Sequence, residues 1–284
     1  PVDRSGVTAV QDVHGLELRS LTPGHDPFST THPFVIVLLQ GRSLQDRSQM
    51  TEENPTWVAG PEFRKAMEMA IEKHAGQARK ADREPYLGHL LAVASNVIEA
   101  GGTETQAAAA LLHDTIEDQG CTRAEIATRV SPAVAAIVDS CSEPDNSDHS
   151  NRPGTWWKRK KAYLDKLADY AKEDTLDDSV LVALADKVNN CEKTARDLLR
   201  HIEVNGKSAD TFWEGFNAGD SCQEAWYRGL LDRFKSINFN SQLADGLVTR
   251  LEKAVEALFD DRKIETCAVD HCHEPNHPAQ QGGN

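Results

Sequence analysis

Thr103-Glu104-Thr105-Gln106-Ala107-Ala108-Ala109-Ala110-Leu111-Leu112-His113-Asp114 is the stretch that decides the fold. Its first four residues form a capping box, in which the side chains at the two ends satisfy each other's backbone donors and start a helix. The run of four alanines lets that helix pack closely against its neighbours. The helix delivers His113-Asp114 at its end, and a second acidic pair, Glu117-Asp118, follows one turn later.

Working outward, the same helical signal recurs. Phe63, Met67, Ile71 and His74 repeat at three to four residues. Leu87 to Glu99 reads as a helix stopped by Gly101-Gly102. Thr122-Arg123-Ala124-Glu125 is another capping box, and Pro132 at a first helical turn begins a helix to Cys141. Trp156 to about Ala171 reads as a long charged helix. Val180 to Leu199 is apolar at its start and amphipathic beyond. Further helices are expected near 209–217, 221–236 and 241–259, whereas Glu143 to Pro153 is polar and reads as a loop. No stretch shows sustained alternation with β-branched enrichment, so an all-α fold is expected. Residues 60–260 would form it, as roughly eight to ten helices.

The ends read differently. Residues 1–59 hold scattered Pro, Gly, Ser and Thr without periodicity, and Met50-Thr51-Glu52-Glu53-Asn54 looks like a natural translation start. A disordered or non-native extension is expected there, and a disordered tail over 261–284. Cys267, His271, Cys272, His273 and His277 in that tail could bind zinc, but their spacing fits no familiar finger.

Composition narrows the function classes. Against 31 basic residues stand 45 acidic ones, a net charge of −14 over 284 residues. That argues against nucleic-acid binding, which rests on neutralising phosphates. It leaves room for a small phosphorylated substrate, because a basic loop and a metal can reverse the field at one site. No apolar run reaches the length of a membrane span, and Pro33 to Leu39 lacks the flanks of a signal peptide. The six cysteines show no paired framework spacing, so reduced thiols and a cytoplasmic location are expected.

His89, His113, Asp114 and Asp186 supply the imidazole and carboxylate mixture that divalent metals such as Mn²⁺ accept. A His-Asp doublet by itself is also consistent with a polar helix end. Asp186 closes the apolar run Val180-Leu181-Val182-Ala183-Leu184-Ala185, where a buried carboxylate needs a partner; a metal or a salt bridge would serve. Glu117 and Asp118 lie four residues past His113 and Asp114 and can face the same cavity. They could orient or deprotonate an attacking water, or form a solvated acidic turn. With the basic loop Gln77-Ala78-Arg79-Lys80, these features point to metal-assisted phosphate-ester hydrolysis.

Three segments carry a resemblance. His74-Ala-Gly-Gln-Ala-Arg-Lys80 with Glu84-Pro-Tyr-Leu-Gly-His89, then Ala109 to Asp118, then Leu184-Ala-Asp-Lys-Val-Asn-Asn190, together resemble the HD hydrolase domain of the RelA/SpoT family over roughly residues 61 to 200. The form is that of its small stand-alone hydrolases, since too little chain remains for a synthetase segment. The resemblance implies an HD-domain helical bundle. It implies that His89, His113, Asp114 and Asp186 hold Mn²⁺ and that Glu117 and Asp118 are the catalytic pair. It implies that Arg79, Lys80 and Asn190 contact substrate. The implied reaction removes pyrophosphate from the 3′ position of guanosine tetra- or pentaphosphate, leaving GDP or GTP.

Other residues stay open. His74, outside the implied ligand set, is read as a packed or supporting histidine. Tyr86 could stack on a base or fill the core. Trp156-Trp157-Lys158-Arg159-Lys160-Lys161 could close over substrate phosphates through Lys158 and Arg159, or be a solvated basic face with its tryptophans buried. Ala81-Asp82-Arg83 replaces the small Ser/Gly turn usual after the basic pair, and Asn189 stands where the family has a histidine. The expected partner is a small phosphorylated nucleotide, with no nucleic acid and no membrane; a homodimer is compatible. Rival readings are another nucleotide phosphohydrolase, acting on NADPH or a 3′-phosphonucleotide, and a non-catalytic nucleotide sensor.

Overall fold

The computed structural model describes residues 7–11, 17–21, 57–79, 83–142, 155–173, 176–216 and 218–260. It divides into two compact units, Pro1–Thr56 and Trp57–Asn284. In the first, Val7–Gln11 (β1) and Glu17–Leu21 (β2) pair antiparallel, with Val7 opposite Leu21. This hairpin lies in the stretch read as an extension without regular structure.

The second unit is helical, as expected. In chain order its α-helices are α1 (Pro61–Lys73), α2 (Tyr86–Glu99), α3 (Glu104–Leu112), α4 (Thr115–Gln119), α5 (Arg123–Arg129), α6 (Pro132–Cys141), α7 (Trp156–Tyr170), α8 (Ser179–Leu199), α9 (Ala209–Trp213), α10 (Asp220–Ser236) and α11 (Gln242–Phe259). The last turns of α8 loosen into a π-helical segment, Arg200–Val204. The expected loop at Glu143–Pro153, the tail from 261 and its Cys/His cluster lie outside the described residues. Among the described residues, Cys121, Cys141, Cys191 and Cys222 are free thiols, and no helix is long and apolar enough to cross a membrane.

α3 is the axis of the unit. Every residue from Gln106 to Leu112 is buried, and a helix apolar all round belongs inside a bundle. It packs against α1, α2, α6 and α8. Its start is held by the expected reciprocal cap between Thr103 and Gln106. Glu104 then reaches α1, where Oε1 accepts from the Phe63 N–H at 3.1 Å. α2 ends in a Schellman turn: Gly101 at φ 81° donates to the Ile98 carbonyl, and Gly102 to that of Val97 at 2.9 Å. On the far side, Arg250 of α11 grips Glu192 of α8 with two 2.9 Å bonds and donates to Asn96 of α2 at 2.9 Å. Arg250 thus ties α2 to α8, α3 packs on both, and those three helices carry the site.

Candidate functional site

α2 contributes Tyr86 and His89 from its first turn. The α3–α4 junction contributes His113, which still has helical backbone angles, and Asp114, where the chain leaves regular helix at φ −97°, ψ 0°. α8 contributes Asp186 at the end of a wholly buried apolar run. One donor atom each from His89, His113 and Asp186 falls within 4.8 Å of the others. Asp186 Oδ1 lies 3.3 Å from His89 Nε2 and 3.5 Å from His113 Nε2. Asp114, the more exposed carboxylate, stands beside this group, its Oδ2 2.9 Å from His113 Nε2 and 3.7 Å from His89 Nε2.

The histidine protons point away from the centre. His113 Nδ1 donates to the Ala110 carbonyl at 2.8 Å, and His89 Nδ1 to Asn189 Oδ1 at 2.7 Å. In its neutral form each ring spends its one N–H there and turns the Nε2 lone pair inward. His113 Nε2 is buried without an aligned hydrogen bond, although Asp114 Oδ2 stands at hydrogen-bond distance. Nε2 lone pairs that converge in the neutral form, with the outward protons held by carbonyl-type acceptors, are what a divalent cation needs from such ligands. The donor set fits that cation class.

Electrostatics show the same demand for positive charge. Burial opposes charge on His113, but Asp114 and Asp186 raise its pKa well above the usual imidazole value. His89 is raised too, its burial outweighed by the same two carboxylates. Burial also opposes charge on Asp114 and Asp186, yet His113 beside the first and Lys187 beside the second hold both well below the ordinary carboxylate range.

A second layer of contacts aims these groups. Lys187 Nζ donates to Asp186 Oδ2 at 2.5 Å and lies 5.0 Å from the centre of the Tyr163 ring on α7. Asn190 Nδ2 donates to Asp186 Oδ1 at 2.6 Å. Arg79 bridges both asparagines, with Nη2 donating to Asn190 Oδ1 at 2.6 Å and Nη1 to Asn189 Oδ1 at 3.4 Å. Its own loop is pinned by the Arg79 N–H to the Glu84 carbonyl at 2.8 Å, and turns through Arg83 at φ 61°. The Tyr86 hydroxyl donates to Asp114 Oδ2; burial and then Asp114 push its pKa upward, so it keeps its proton. Its ring stacks on His74, with centroids 5.5 Å apart. His74 is buried, with Nδ1 2.6 Å from Gln77 Oε1 and Nε2 3.2 Å from Thr115 Oγ1. It packs beside the site, as read from the sequence.

Glu117 is half-buried and Asp118 exposed on α4. Asp118 Oδ2 accepts from Gln77 Nε2 at 2.9 Å. Trp156 and Trp157 are buried. Lys158 on the same turn is exposed, and Arg159 Nε donates back to Thr155 Oγ1 at 3.4 Å. α7 reaches the group through Tyr163. Lys80 lies outside the described residues. Sequence reasoning quoted Lys187, Gln77 and Asn189 within motifs but gave none of them its contact. Only the first left a signal, a lysine directly after a buried aspartate.

Residues 66–211, 146 of the 284, match the profile of the HD domain. The chain belongs to the HD domain family. The matched segment holds His89, His113-Asp114 and Asp186, so the HD domain accounts for the whole buried group. Among curated relatives, a probable GTP pyrophosphokinase of Mycobacterium leprae is 40% identical over 81 residues, 28% of this chain and 10% of that protein. A guanosine-3′,5′-bis(diphosphate) 3′-pyrophosphohydrolase of Aquifex aeolicus is 43% identical over 82 residues, 29% of this chain and 12% of that one. A GTP pyrophosphokinase of Brucella ovis is 34% identical over 126 residues, 44% and 16% of the two chains. The HD-domain chain thus spans between 10% and 16% of the length of these relatives. Two of the solved structures similar to this chain illustrate the likeness. One is a metazoan orthologue of SpoT described as hydrolysing ppGpp, with TM-score 0.49, 23% identity, and 72% of this chain and 98% of that one covered. The other is a Listeria monocytogenes protein, with TM-score 0.45, 24% identity, and 59% and 99% covered.

Proposed function

We propose that this HD-domain chain is a Mn²⁺-dependent 3′-pyrophosphohydrolase of guanosine tetra- and pentaphosphate, acting in the cytoplasm on the free nucleotide. The observation that carries the reading is the buried His89–His113–Asp186 group, whose donor atoms lie within 4.8 Å of one another. The 43% identity to the Aquifex aeolicus pyrophosphohydrolase supports the choice of nucleotide.

His89, His113, Asp114 and Asp186 would hold the ion. When bound, it supplies Lewis-acid polarisation and lowers the pKa of a water. Glu117 and Asp118, one turn past Asp114, orient the attacking water and take its proton. The water oxygen joins the phosphorus attached to the ribose 3′ oxygen, and that P–O bond breaks. Pyrophosphate departs, and the 3′ oxygen gains a proton to become a hydroxyl. Arg79 and Lys80 meet the phosphates, as a guanidinium fork and a point charge do well. Asn190 and Tyr86 line the substrate side of the group, and Lys158 and Arg159 close over the phosphates from α7.

The test is a panel of ppGpp, pppGpp, NADPH and 3′-phosphonucleotides with the purified chain in Mn²⁺, Mg²⁺ or chelator. Pyrophosphate release from ppGpp that needs the cation is expected. Orthophosphate release from another member, with ppGpp left intact, would move the assignment to that nucleotide. Binding without turnover, unchanged by Glu117→Ala, would make the chain a sensor.

A further inference from the structure

We propose that His74 and Gln77 are positioning residues that hold Asp118 in register with the His–Asp group. The inference rests on reading Asp118 as part of the catalytic pair. A line of hydrogen bonds runs from Thr115 Oγ1 to His74 Nε2 (3.2 Å), from His74 Nδ1 to Gln77 Oε1 (2.6 Å), and from Gln77 Nε2 to Asp118 Oδ2 (2.9 Å). Its polarity is forced from one end. A carboxylate only accepts, so Gln77 turns its amide N–H to Asp118 and its carbonyl to His74. The His74 Nδ1 therefore carries the proton, and Nε2 accepts from the Thr115 hydroxyl. Gln119 Nε2 donates to the same Gln77 carbonyl, which agrees with that orientation.

The line starts in the interior and ends at the surface. Thr115 and His74 are buried, Gln77 is half-buried and Asp118 is exposed. An exposed carboxylate on the five-residue α4 would otherwise sample several rotamers. Here one rotamer is tied to a buried imidazole. The same imidazole stacks on Tyr86, whose hydroxyl holds Asp114. His74 thus underlies both a cation-side carboxylate and a water-side carboxylate, and fixes the interval between them. Misplacement of a reacting group by about 1 Å is enough to cost a large factor in rate.

The discriminating variant is Gln77→Leu, which keeps the bulk and removes the amide. With Mn²⁺ and ppGpp, kcat is expected to fall on the order of tenfold, with KM and bound Mn²⁺ per chain unchanged. In an Asp118→Asn background the same substitution should cost less than twofold, because the group it positions is already disabled. A tenfold loss that persists in that background, or a loss of bound Mn²⁺, would overturn the proposal. A second measurement does not depend on turnover. In the Zn²⁺-loaded full chain, a downfield proton resonance on His74 Nδ1, identified by its loss in His74→Gln, should move in Gln77→Leu. Its absence from the wild type, or its indifference to Gln77→Leu, overturns the proposal. A wild type that cleaves no nucleotide would instead remove the proposed function and leave the resonance to decide on the network.

Discussion

Replacing Lys187 by methionine keeps the length of the side chain and deletes its charge. In the native chain that ammonium lies 2.5 Å from Asp186 Oδ2 and over the Tyr163 ring, with side-chain exposures of 19% for Lys187 and 8% for Asp186. Breaking a buried pair by removing one partner costs roughly 3–5 kcal/mol. Asp186 keeps the Asn190 donor and two histidines, and the lysine is partly in water, so about 2–3 kcal/mol is the better figure. At about 2–4 °C per kcal/mol for a unit of this size, the melting point in chelator should drop by roughly 5–10 °C. The sign for the cation is opposite. Removing a positive charge one carboxylate away from it should tighten divalent-cation binding on the order of tenfold, so Mn²⁺ should restore more stability in Lys187→Met than in the wild type. Thermal melts of both proteins in chelator and in excess Mn²⁺, with a Mn²⁺ titration, measure each quantity. An equal loss of melting temperature in both conditions, or a weaker cation affinity in the variant, would refute this account of Lys187.

Three further outcomes are expected. Glu117→Gln and Asp118→Asn should each bind Mn²⁺ at the wild-type stoichiometry, read by elemental analysis, while turnover falls about 10²–10⁴-fold for loss of the proton acceptor; a parallel loss of metal would put these carboxylates in the ligand set. His113→Ala should lower bound Mn²⁺ well below one per chain, and full occupancy in that variant would refute its role as a ligand. In Gly102→Ala the new Cβ would stand 2.5 Å from Val97 Cγ1 and 2.8 Å from the Val97 carbonyl oxygen, so urea unfolding should show a loss of about 1–3 kcal/mol from forced repacking.

Much of this could be read before the structure, for local reasons. The start of α3 follows from Thr103 and Gln106, and the end of α2 from Gly101 and Gly102, because caps are built from neighbours in sequence. His89, His113-Asp114 and Asp186, which the structure brings together, could each be picked out from a local motif on its own element. What stayed hidden depends on approach in space. Gln77 meets Asp118 across 41 positions, and Arg79 meets Asn189 and Asn190 across 110 and 111; no spacing rule announces such pairs. Asn189 looked like a departure from the family pattern, yet it accepts the His89 proton as a carbonyl would. The hairpin at Val7–Leu21 was missed because five-residue strands carry too few alternations to stand out.

The alanine run of α3 has a consequence for how finely the centre can be set. Ala107, Ala108, Ala109 and Ala110 are each 0% exposed, and an alanine has no rotamers to lose on burial. The approach of α3 to the helices packed around it, α2 and α8 among them, is therefore metered by methyl groups. A ruler made of methyls has no flexible divisions: it cannot relax by swinging a side chain, and it can be altered only in steps of a whole carbon. The placement of His113, at the end of that helix, is inherited from residues with no side-chain freedom to adjust.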